Sequence, residues 1–241
     1  MPAESRVTHR EKTPHGDLVL QLEGGERPRA ALILAGTFLM DSDMAGSERE
    51  LARRGLEELG KRRGRNVRAL VAGLGLGITL RALLEEPGIV AADVVEIFSP
   101  VIRWNREYLG FWNGDAMRDP RVRVFETDLR GFLGAGGVAG RPARIDPSGY
   151  DLVLVDIDNG PGWLSLPANA WLYESEGLEN LRRVTAIPGV IAFWSSERSI
   201  AFEEMLARLP WGEWRREVVK CTIEKLGLTL EYSLYLLLRK S

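Results

Sequence analysis

The spacing of apolar residues changes twice along the chain, and each change marks a different kind of structure. Within the first 40 residues, short apolar runs alternate with turn-forming clusters rich in Gly and Pro, which predicts a small antiparallel β meander. We expect its strands at residues 6–10, 18–22 and 30–34. Over residues 51–59 apolar residues recur at helical spacing, and the Ser-Glu-Arg-Glu at 47–50 has the form of a capping box that would begin this helix.

Beyond residue 66 the chain alternates between apolar, strand-like runs and helical stretches. Near-continuous apolar strands separated by helices indicate a parallel sheet that is covered on both faces. The predicted strands are at residues 67–72, 93–97, 122–125, 152–155 and 190–194. The predicted helices are at residues 79–86, 100–108, 171–183 and 200–209, and a long loop spans residues 134–149.

The last part of the chain returns to a strand pattern. Residues 214–223 and 230–238 flank a short turn at 225–227, which predicts an antiparallel hairpin at the end of the sheet. The complete pattern predicts an α/β protein: a Rossmann-like sheet of parallel strands with a C-terminal antiparallel hairpin, preceded by a small β meander. We place the meander in an N-terminal β domain, residues 1–46, and the sheet in a nucleoside-binding domain, residues 47–241.

The composition narrows the classes of partner. The 241 residues are 45% hydrophobic and 27% charged, which excludes wholesale disorder. With 32 Lys and Arg against 34 Asp and Glu, the net charge of −2 argues against a dedicated nucleic-acid-binding protein. No apolar run approaches the roughly 20 residues that span a bilayer, and the first 16 residues lack the apolar core of a signal peptide. We therefore expect no membrane partner and a cytoplasmic location.

The chain has few of the cysteine and histidine residues that metal sites and histidine-assisted catalysis use. The single cysteine, Cys221, cannot form an intramolecular disulfide, and with only His9 and His15 beside it the chain cannot build a zinc site of the usual kind. We therefore expect no metal cofactor. A cysteine or serine nucleophile assisted by histidine would have to use the same two histidines, and both belong to the N-terminal meander.

A glycine-rich turn follows the first predicted parallel strand. Gly73, Gly75 and Gly77 form a Gly-x-Gly-x-Gly motif, which allows a tight turn and the close approach of a ligand to the backbone. The next strand ends at Glu96, where a carboxylate can accept hydrogen bonds from both hydroxyl groups of a ribose. The turn, its strand context and this carboxylate together favour nucleoside binding over a structural turn followed by a surface glutamate.

Carboxylates also follow the third and fourth predicted strands. Asp128 could accept a hydrogen bond from an adenine amino group or cap the next helix, and its position favours neither role. Asp156 and Asp158 lie on one side of an extended chain, where they could hold an ammonium group, accept its proton, or stabilise a turn. Asp156 is the stronger functional candidate because it directly follows the apolar run at 152–155.

These residues resemble a known family. The sheet pattern, the glycine motif, Glu96, Asp128 and the terminal hairpin are similar to the class I S-adenosylmethionine-dependent methyltransferase fold. Within that fold the chain is most similar to the polyamine aminopropyltransferases, the spermidine synthase family, which place a small N-terminal β domain before the nucleoside-binding domain. Residues 34–40 and the segment Val94-Val95-Glu96-Ile97 follow the family pattern, and the likeness extends over nearly the whole chain.

The resemblance implies a role for each candidate residue. It assigns Glu96 to the ribose and Asp128 to the adenine of decarboxylated S-adenosylmethionine, with Gly73, Gly75 and Gly77 forming the turn beside them. Asp156 matches the first aspartate of the family's Asp-Ser-Thr-Asp-Pro motif, which deprotonates the attacking amine, and is the expected catalytic residue.

Two departures from the family pattern fall on the side of the amine acceptor. The second aspartate of the motif is replaced by Asn159, and the nearby acid is Asp158. The family's Tyr-His-Glu falls on Ser-Glu-Arg at residues 47–49. We assign Asp158 to substrate binding, together with Trp163, whose ring can stack on a nucleoside or contact an alkylammonium, although aromatic side chains more often pack the core.

The expected function is the transfer of an aminopropyl group from decarboxylated S-adenosylmethionine, the co-substrate, to a small-molecule amine. Two alternatives stay open: a methyltransferase that uses intact S-adenosylmethionine, and a non-catalytic nucleoside-binding homologue. Asn159 and the altered residues 47–49 favour the non-catalytic homologue, whereas the retained Asp156 argues against it. The sequence names neither the acceptor nor the oligomeric state, for which a homodimer is one expectation.

Overall fold

Two β-sheets share one hydrophobic core. The computed structural model describes residues 6–26, 28–60, 66–134, 148–223 and 227–240. The strands are β1 Arg6–Thr13, β2 Gly16–Glu23, β3 Arg29–Leu34, β4 Thr37–Asp41, β5 Val67–Ala72, β6 Ile89–Glu96, β7 Val122–Glu126, β8 Tyr150–Val155, β9 Thr185–Ser195, β10 Gly212–Ile223 and β11 Leu228–Arg239. The α-helices are α1 Gly46–Gly60, α2 Ile78–Leu84, α3 Ser99–Glu107, α4 Gly110–Asn113, α5 Leu129–Phe132, α6 Ser175–Val184 and α7 Ile200–Ala207.

The larger sheet has seven strands in the order β10-β11-β9-β8-β5-β6-β7. The five strands from β9 to β7 in this order are parallel neighbours, and β11 is antiparallel to both β9 and β10. The strand order reverses beside β5, which pairs with β6 on one side and β8 on the other. In open α/β sheets this reversal leaves a crevice outside the carboxyl ends of the strands, where ligands bind.

Both faces of the large sheet are covered, as the near-continuous apolar strands predict. In β5, Ala69 and Val71 belong to one buried cluster, while Leu70 and Ala72 belong to another on the opposite face. The four-stranded N-terminal sheet, in the order β1-β2-β3-β4, contributes leucines to the first cluster. The predicted fold class, with its parallel sheet, terminal hairpin and N-terminal meander, is therefore confirmed. The domain boundary after residue 46 stays a prediction.

Three local predictions are wrong. The capping box does not form, because α1 already begins at Gly46 and the Ser47 hydroxyl donates to the adjacent Glu48 carboxylate (Oγ–Oε2 2.6 Å). The helix predicted at 171–183 is broken, because Glu174 has an extended backbone that separates a 3₁₀ helix, Pro167–Tyr173, from α6. The meander has a fourth strand, β4, that the apolar pattern does not reveal.

Other predicted segments are placed only in part. Residues 135–147 of the predicted long loop and residues 224–226 of the terminal turn lie outside the described residues. Among the helices that are described, none combines the length and apolar composition needed to cross a bilayer.

Candidate active site

A cavity opens at the carboxyl edge of the large sheet, where the strand order reverses. The ends of β5, β6 and β8 and the segments that follow them line one side, and the N-terminal sheet adds Leu32, Leu39 and Met40 on the other. The charged side chains among its described lining residues are Glu96, Asp128, Asp156 and Asp158. Within that described lining there is no Lys, Arg or His, so the charged residues that line the cavity are all acids.

Gly73 and Gly75 lie in this lining, as predicted. Gly73 has a φ of 91°, and a Cβ added there would lie 2.1 Å from the carbonyl oxygen of Asp156. Only glycine fits this position, because the turn after β5 passes against the backbone after β8. The glycine turn and the segment that carries Asp156 are thus packed backbone to backbone.

Gly77 ends the glycine turn just before α2, where the sequence pattern places it. It is not among the lining residues of the cavity, and with a φ of 79° it precedes the first residue of α2. A Cβ on Gly77 would lie 2.6 Å from Asn105 Oδ1 and 2.8 Å from Asn113 Cβ. Because Gly77 has no side chain, the start of α2 can pack closely against Asn105 of α3 and Asn113 of α4.

Glu96 is buried at the end of β6 and connects two segments of the site. Its Oε2 accepts from the backbone N–H of Leu74 (3.0 Å) and its Oε1 from that of Phe98 (2.8 Å). Burial raises the pKa of Glu96, and these backbone hydrogen bonds oppose the rise. Each carboxylate oxygen has a second lone pair, so the group can still accept hydrogen bonds from ligand hydroxyls.

Replacing Glu96 tests whether this carboxylate binds the adenosyl group. Glu96→Ala is expected to weaken the binding of methylthioadenosine by about 2–3 kcal/mol, because charge-assisted hydrogen bonds to the ribose are lost. Titration calorimetry measures the dissociation constant directly. Glu126→Ala, an exposed acid that pairs with Glu96 across the strands and is not among the lining residues, is the control. An unchanged dissociation constant in Glu96→Ala would refute the assignment.

Asp128 caps a helix, one of the two roles that its sequence position allowed. Its Oδ1 accepts from the backbone N–H of Gly131 (3.2 Å), which makes it the N-cap of α5. It is also exposed and borders the cavity. Capping does not use all the lone pairs of a carboxylate, so hydrogen bonding to a ligand stays open to Asp128.

Asp156 follows β8 and reaches the cavity beside the glycine turn. Its backbone N–H donates to Ala72 (2.8 Å), which continues the β-sheet pairing, and its Oδ2 accepts from the hydroxyl of Thr79 (2.6 Å). Burial raises the pKa of Asp156 to about 6, and the hydrogen bond from Thr79 opposes the rise. At pH 7 Asp156 is therefore mostly ionised but holds a proton more strongly than an exposed aspartate, which suits a general base.

Asp158 lines the cavity but is already engaged in local hydrogen bonds. Its Oδ1 accepts from the backbone N–H of Ser165 (2.8 Å) and from Asn169 Nδ2 (2.9 Å). These bonds stabilise the segment after β8, which is the structural role weighed for Asp158 in the sequence. Trp163 does not reach the site: its side chain is 54% exposed and is not among the lining residues.

Sequence reasoning did not single out Glu48, a buried carboxyl group near Asp156 that is not itself among the lining residues of the cavity. Glu48 is only 6% exposed, on the face of α1 that packs against the large sheet. Burial and the charge of nearby Asp156 raise the pKa of Glu48 to about 8. The helical period could have revealed it, because Glu48 precedes the buried Leu51 and Ala52 by three and four residues.

Trp194, at the end of β9, was also missed as a lining residue. It is 8% exposed, and its indole Nε1 is buried without a hydrogen-bond partner among the described residues. The sequence suggested that Trp194 lies near the strand ends but gave no means of separating it from aromatic residues of the core.

The raised pKa values predict a pH-dependent stability. Glu48 and Asp156 bind protons more strongly in the folded chain than in the unfolded chain, so their stabilising protonation is complete below about pH 4. It is lost as the pH rises through about 6 and about 8. We expect the free energy of unfolding to be lower at pH 9 than at pH 5 by on the order of 5 kcal/mol. Urea denaturation at both pH values measures this difference in the free energy of unfolding. If the difference is as large in Glu48→Gln as in the wild type, Glu48 does not contribute to it.

Part of the chain is similar in sequence to known proteins. No protein-family model matches the chain. It is 33% identical to polyamine aminopropyltransferase 2 of Pseudomonas aeruginosa over 38% of its own length and 25% of that protein. It is 36% identical to the polyamine aminopropyltransferase of Mycobacterium tuberculosis over 36% of its own length and 16% of that protein. The matched segments thus span less than two thirds of these relatives.

Solved structures extend the likeness to the whole fold. A crystal structure of spermidine synthase in complex with the transition state analogue AdoDATO superposes with a TM-score of 0.71 at 15% identity and covers 98% of this chain and 73% of that one. Spermidine synthase from Thermotoga maritima gives a TM-score of 0.71 at 16% identity. The resemblance predicted from the sequence is confirmed: the chain has the spermidine synthase fold, and part of it is similar in sequence to polyamine aminopropyltransferases.

Proposed function

We propose that this protein is an aminopropyltransferase that moves the aminopropyl group of decarboxylated S-adenosylmethionine to a small amine and releases methylthioadenosine. The observation that carries the proposal is the cavity at the carboxyl edge of the sheet, whose described charged lining residues are all carboxylates. The similarity to polyamine aminopropyltransferases supports it.

The charge of the cavity favours aminopropyl over methyl transfer. Decarboxylated S-adenosylmethionine carries a sulfonium and an ammonium group and no carboxylate, so it complements a lining of acids. Intact S-adenosylmethionine would bring a carboxylate next to Glu96, Asp128, Asp156 and Asp158, with no Lys, Arg or His among the described lining residues to offset it. Like charges placed together in this way disfavour binding.

The adenosyl half of the site is the better defined. In this proposal the ribose lies at Glu96, the adenine at Asp128, and the nucleoside passes over the backbone of Gly73 and Gly75. Met40 packs onto the same turn, where its Sδ accepts from the backbone N–H of Leu76 (3.1 Å). The N-terminal sheet therefore contributes an apolar wall that keeps water from the reacting atoms.

In the part of the site that binds the amine, Asp156 is the proposed general base. An amine enters as an ammonium ion and transfers one proton to the Asp156 carboxylate, which frees a lone pair on nitrogen. That lone pair attacks the methylene carbon next to the sulfonium, in line with the carbon–sulfur bond. The carbon–nitrogen bond forms as the carbon–sulfur bond breaks, and its electron pair stays on sulfur as a neutral thioether. Proximity and alignment in the closed cavity supply much of the acceleration.

Direct assay separates this proposal from its alternatives. The purified protein is incubated with decarboxylated or intact S-adenosylmethionine and with 1,4-diaminobutane, 1,3-diaminopropane or spermidine, and products are identified by mass spectrometry. Aminopropylated amine and methylthioadenosine are expected from the decarboxylated form. Methylated product and S-adenosylhomocysteine from the intact form would instead establish a methyltransferase. Binding of methylthioadenosine without any turnover would establish a non-catalytic nucleoside-binding protein.

A further inference from the structure

Helix α1 carries two buried carboxyl groups with different surroundings. Glu58 is paired with Arg215 of β10. The Glu48 carboxylate accepts a hydrogen bond from the Ser47 hydroxyl (2.6 Å), and within the described ranges no Lys or Arg forms an ion pair with it. A buried carboxylate without a cation is unstable in its charged form and tends to keep a proton. Burial therefore favours the protonated form of the Glu48 carboxyl group.

Thr79 of α2 places Glu48 beside Asp156. The Thr79 hydroxyl donates to Asp156 Oδ2 (2.6 Å) and lies 3.4 Å from the backbone carbonyl oxygen of Glu48. One buried threonine therefore contacts both the first turn of α1 and the segment after β8. Glu48 and Asp156 are thus on two segments that meet at Thr79, and, after burial, the charge of Asp156 raises the pKa of Glu48.

Among the residues that the structure describes, the charged and titratable groups nearest to Glu48 are mostly acids. Asp156 faces it from the end of β8, Cys221 from β10 and Tyr232 from β11, and the pKa values of Cys221 and Tyr232 are raised by burial and by the charge of Glu48. Arg49, the next residue on α1, is exposed, and its charge lowers the pKa of Glu48 only weakly. The proton affinity of Glu48 is thus set mainly by burial and by Asp156.

Trp194 gives independent evidence that a ligand completes this end of the cavity. Its ring lies 5.5 Å from the ring of Tyr232, and it lines the cavity together with Asp156. Its buried Nε1 has no hydrogen-bond partner among the described residues. A buried donor left in this state costs about 1–3 kcal/mol, which a ligand or a bound water would recover.

We propose that Glu48 is a positioning residue for the amine reaction, one that shares a single proton with Asp156 and so leaves this end of the cavity with one negative charge at neutral pH. Its role in the reaction rests on the proposed function, whereas the proton sharing does not. With Glu48 neutral, ionised Asp156 can take the proton of a bound ammonium. When both groups ionise, two charges hold the ammonium and oppose the loss of its proton.

The proton sharing is tested without substrate, by NMR titration of protein labelled with ¹³C at the glutamate side-chain carboxyls. We expect one carboxyl signal to titrate near pH 8 and to be missing in Glu48→Gln, a nearly isosteric replacement for protonated glutamate. Asp156→Asn should move this signal to lower pH by about one unit or more, because the neighbouring charge is gone. Asp128→Asn, which removes another cavity carboxylate, should leave it in place. A Glu48 signal near its ordinary value, or one unmoved in Asp156→Asn, would overturn the proposal.

The effect on the reaction is tested by the pH dependence of kcat. Wild-type kcat should rise through about pH 6 and then fall by about tenfold above pH 8 as Glu48 ionises. Glu48→Gln should remove the alkaline fall, while Glu57→Gln, an exposed ion-paired residue of the same helix, should keep the wild-type profile. An equal loss of kcat at every pH in Glu48→Gln would show a merely structural role and reject the proposal. If the wild type transfers no aminopropyl group, the proposed function fails, and the NMR titration still decides the proton sharing.

Discussion

Asp156→Asn is expected to lower the kcat of amine transfer by about 10²–10⁴, the range for loss of a general base. The asparagine oxygen can still accept the hydrogen bond from Thr79, so the fold and the position of the side chain should be kept. What the variant loses is the ability to take the proton of the bound ammonium, without which the nitrogen has no free lone pair.

Two measurements separate this loss from a general disturbance. The affinity for methylthioadenosine should stay nearly unchanged, because the proposed binding mode holds that ligand at Glu96, Asp128 and the glycine turn. Glu126→Gln, at an exposed acid outside the cavity lining, should retain full turnover. Full turnover in Asp156→Asn with the best amine acceptor would show that another group takes the proton and that Asp156 only stabilises the turn.

Gly73→Ala is expected to destabilise the protein by about 2–5 kcal/mol. Its φ of 91° disfavours a side chain, which costs about 1–2 kcal/mol. In addition, the new Cβ would lie 2.1 Å from the carbonyl oxygen of Asp156, a backbone atom that can move only with the segment after β8. Overpacking of this kind adds about 1–3 kcal/mol, so the variant should lose both stability and adenosyl binding.

Gly36→Ala is the matched control for this effect. Gly36 also has a positive φ, of 83°, but a Cβ there would meet nothing within 4 Å. Gly36→Ala should therefore lose only the conformational part of the stability, about 1–2 kcal/mol. Urea denaturation of both variants compares the two losses, and equal values would show that the contact between Gly73 and Asp156 relaxes at little cost.

The parts of the fold that the sequence predicts well are those in which local pattern and burial agree. The strand at 152–155 is a continuous apolar run and the strand at 67–72 is interrupted only by Arg68, and the structure places both at the centre of the large sheet. Strand β4 was missed because its Phe38 is 52% exposed and its pairing with β3 contains a register shift, which interrupts the alternation expected of a strand.

The site was harder to predict because it depends on register between distant strands. Trp163 was chosen because it follows the aspartates closely in sequence, but the chain turns it toward solvent. Trp194 lines the cavity instead, because β9 pairs with β8 so that Phe193 lies opposite Val155. Glu48 was taken as part of a helix cap, since a polar residue at the start of a helix fits that role in any single sequence.

The acidic residues that line the cavity also affect how ligands enter and leave it in the proposed reaction. Decarboxylated S-adenosylmethionine arrives with two positive charges, whereas the methylthioadenosine that remains after transfer has none. The attraction of the carboxylates therefore acts on the incoming ligand and disappears from the spent one, which favours product release. It also makes capture sensitive to ionic strength, because added salt screens the attraction for the dication while leaving the neutral thioether almost unaffected.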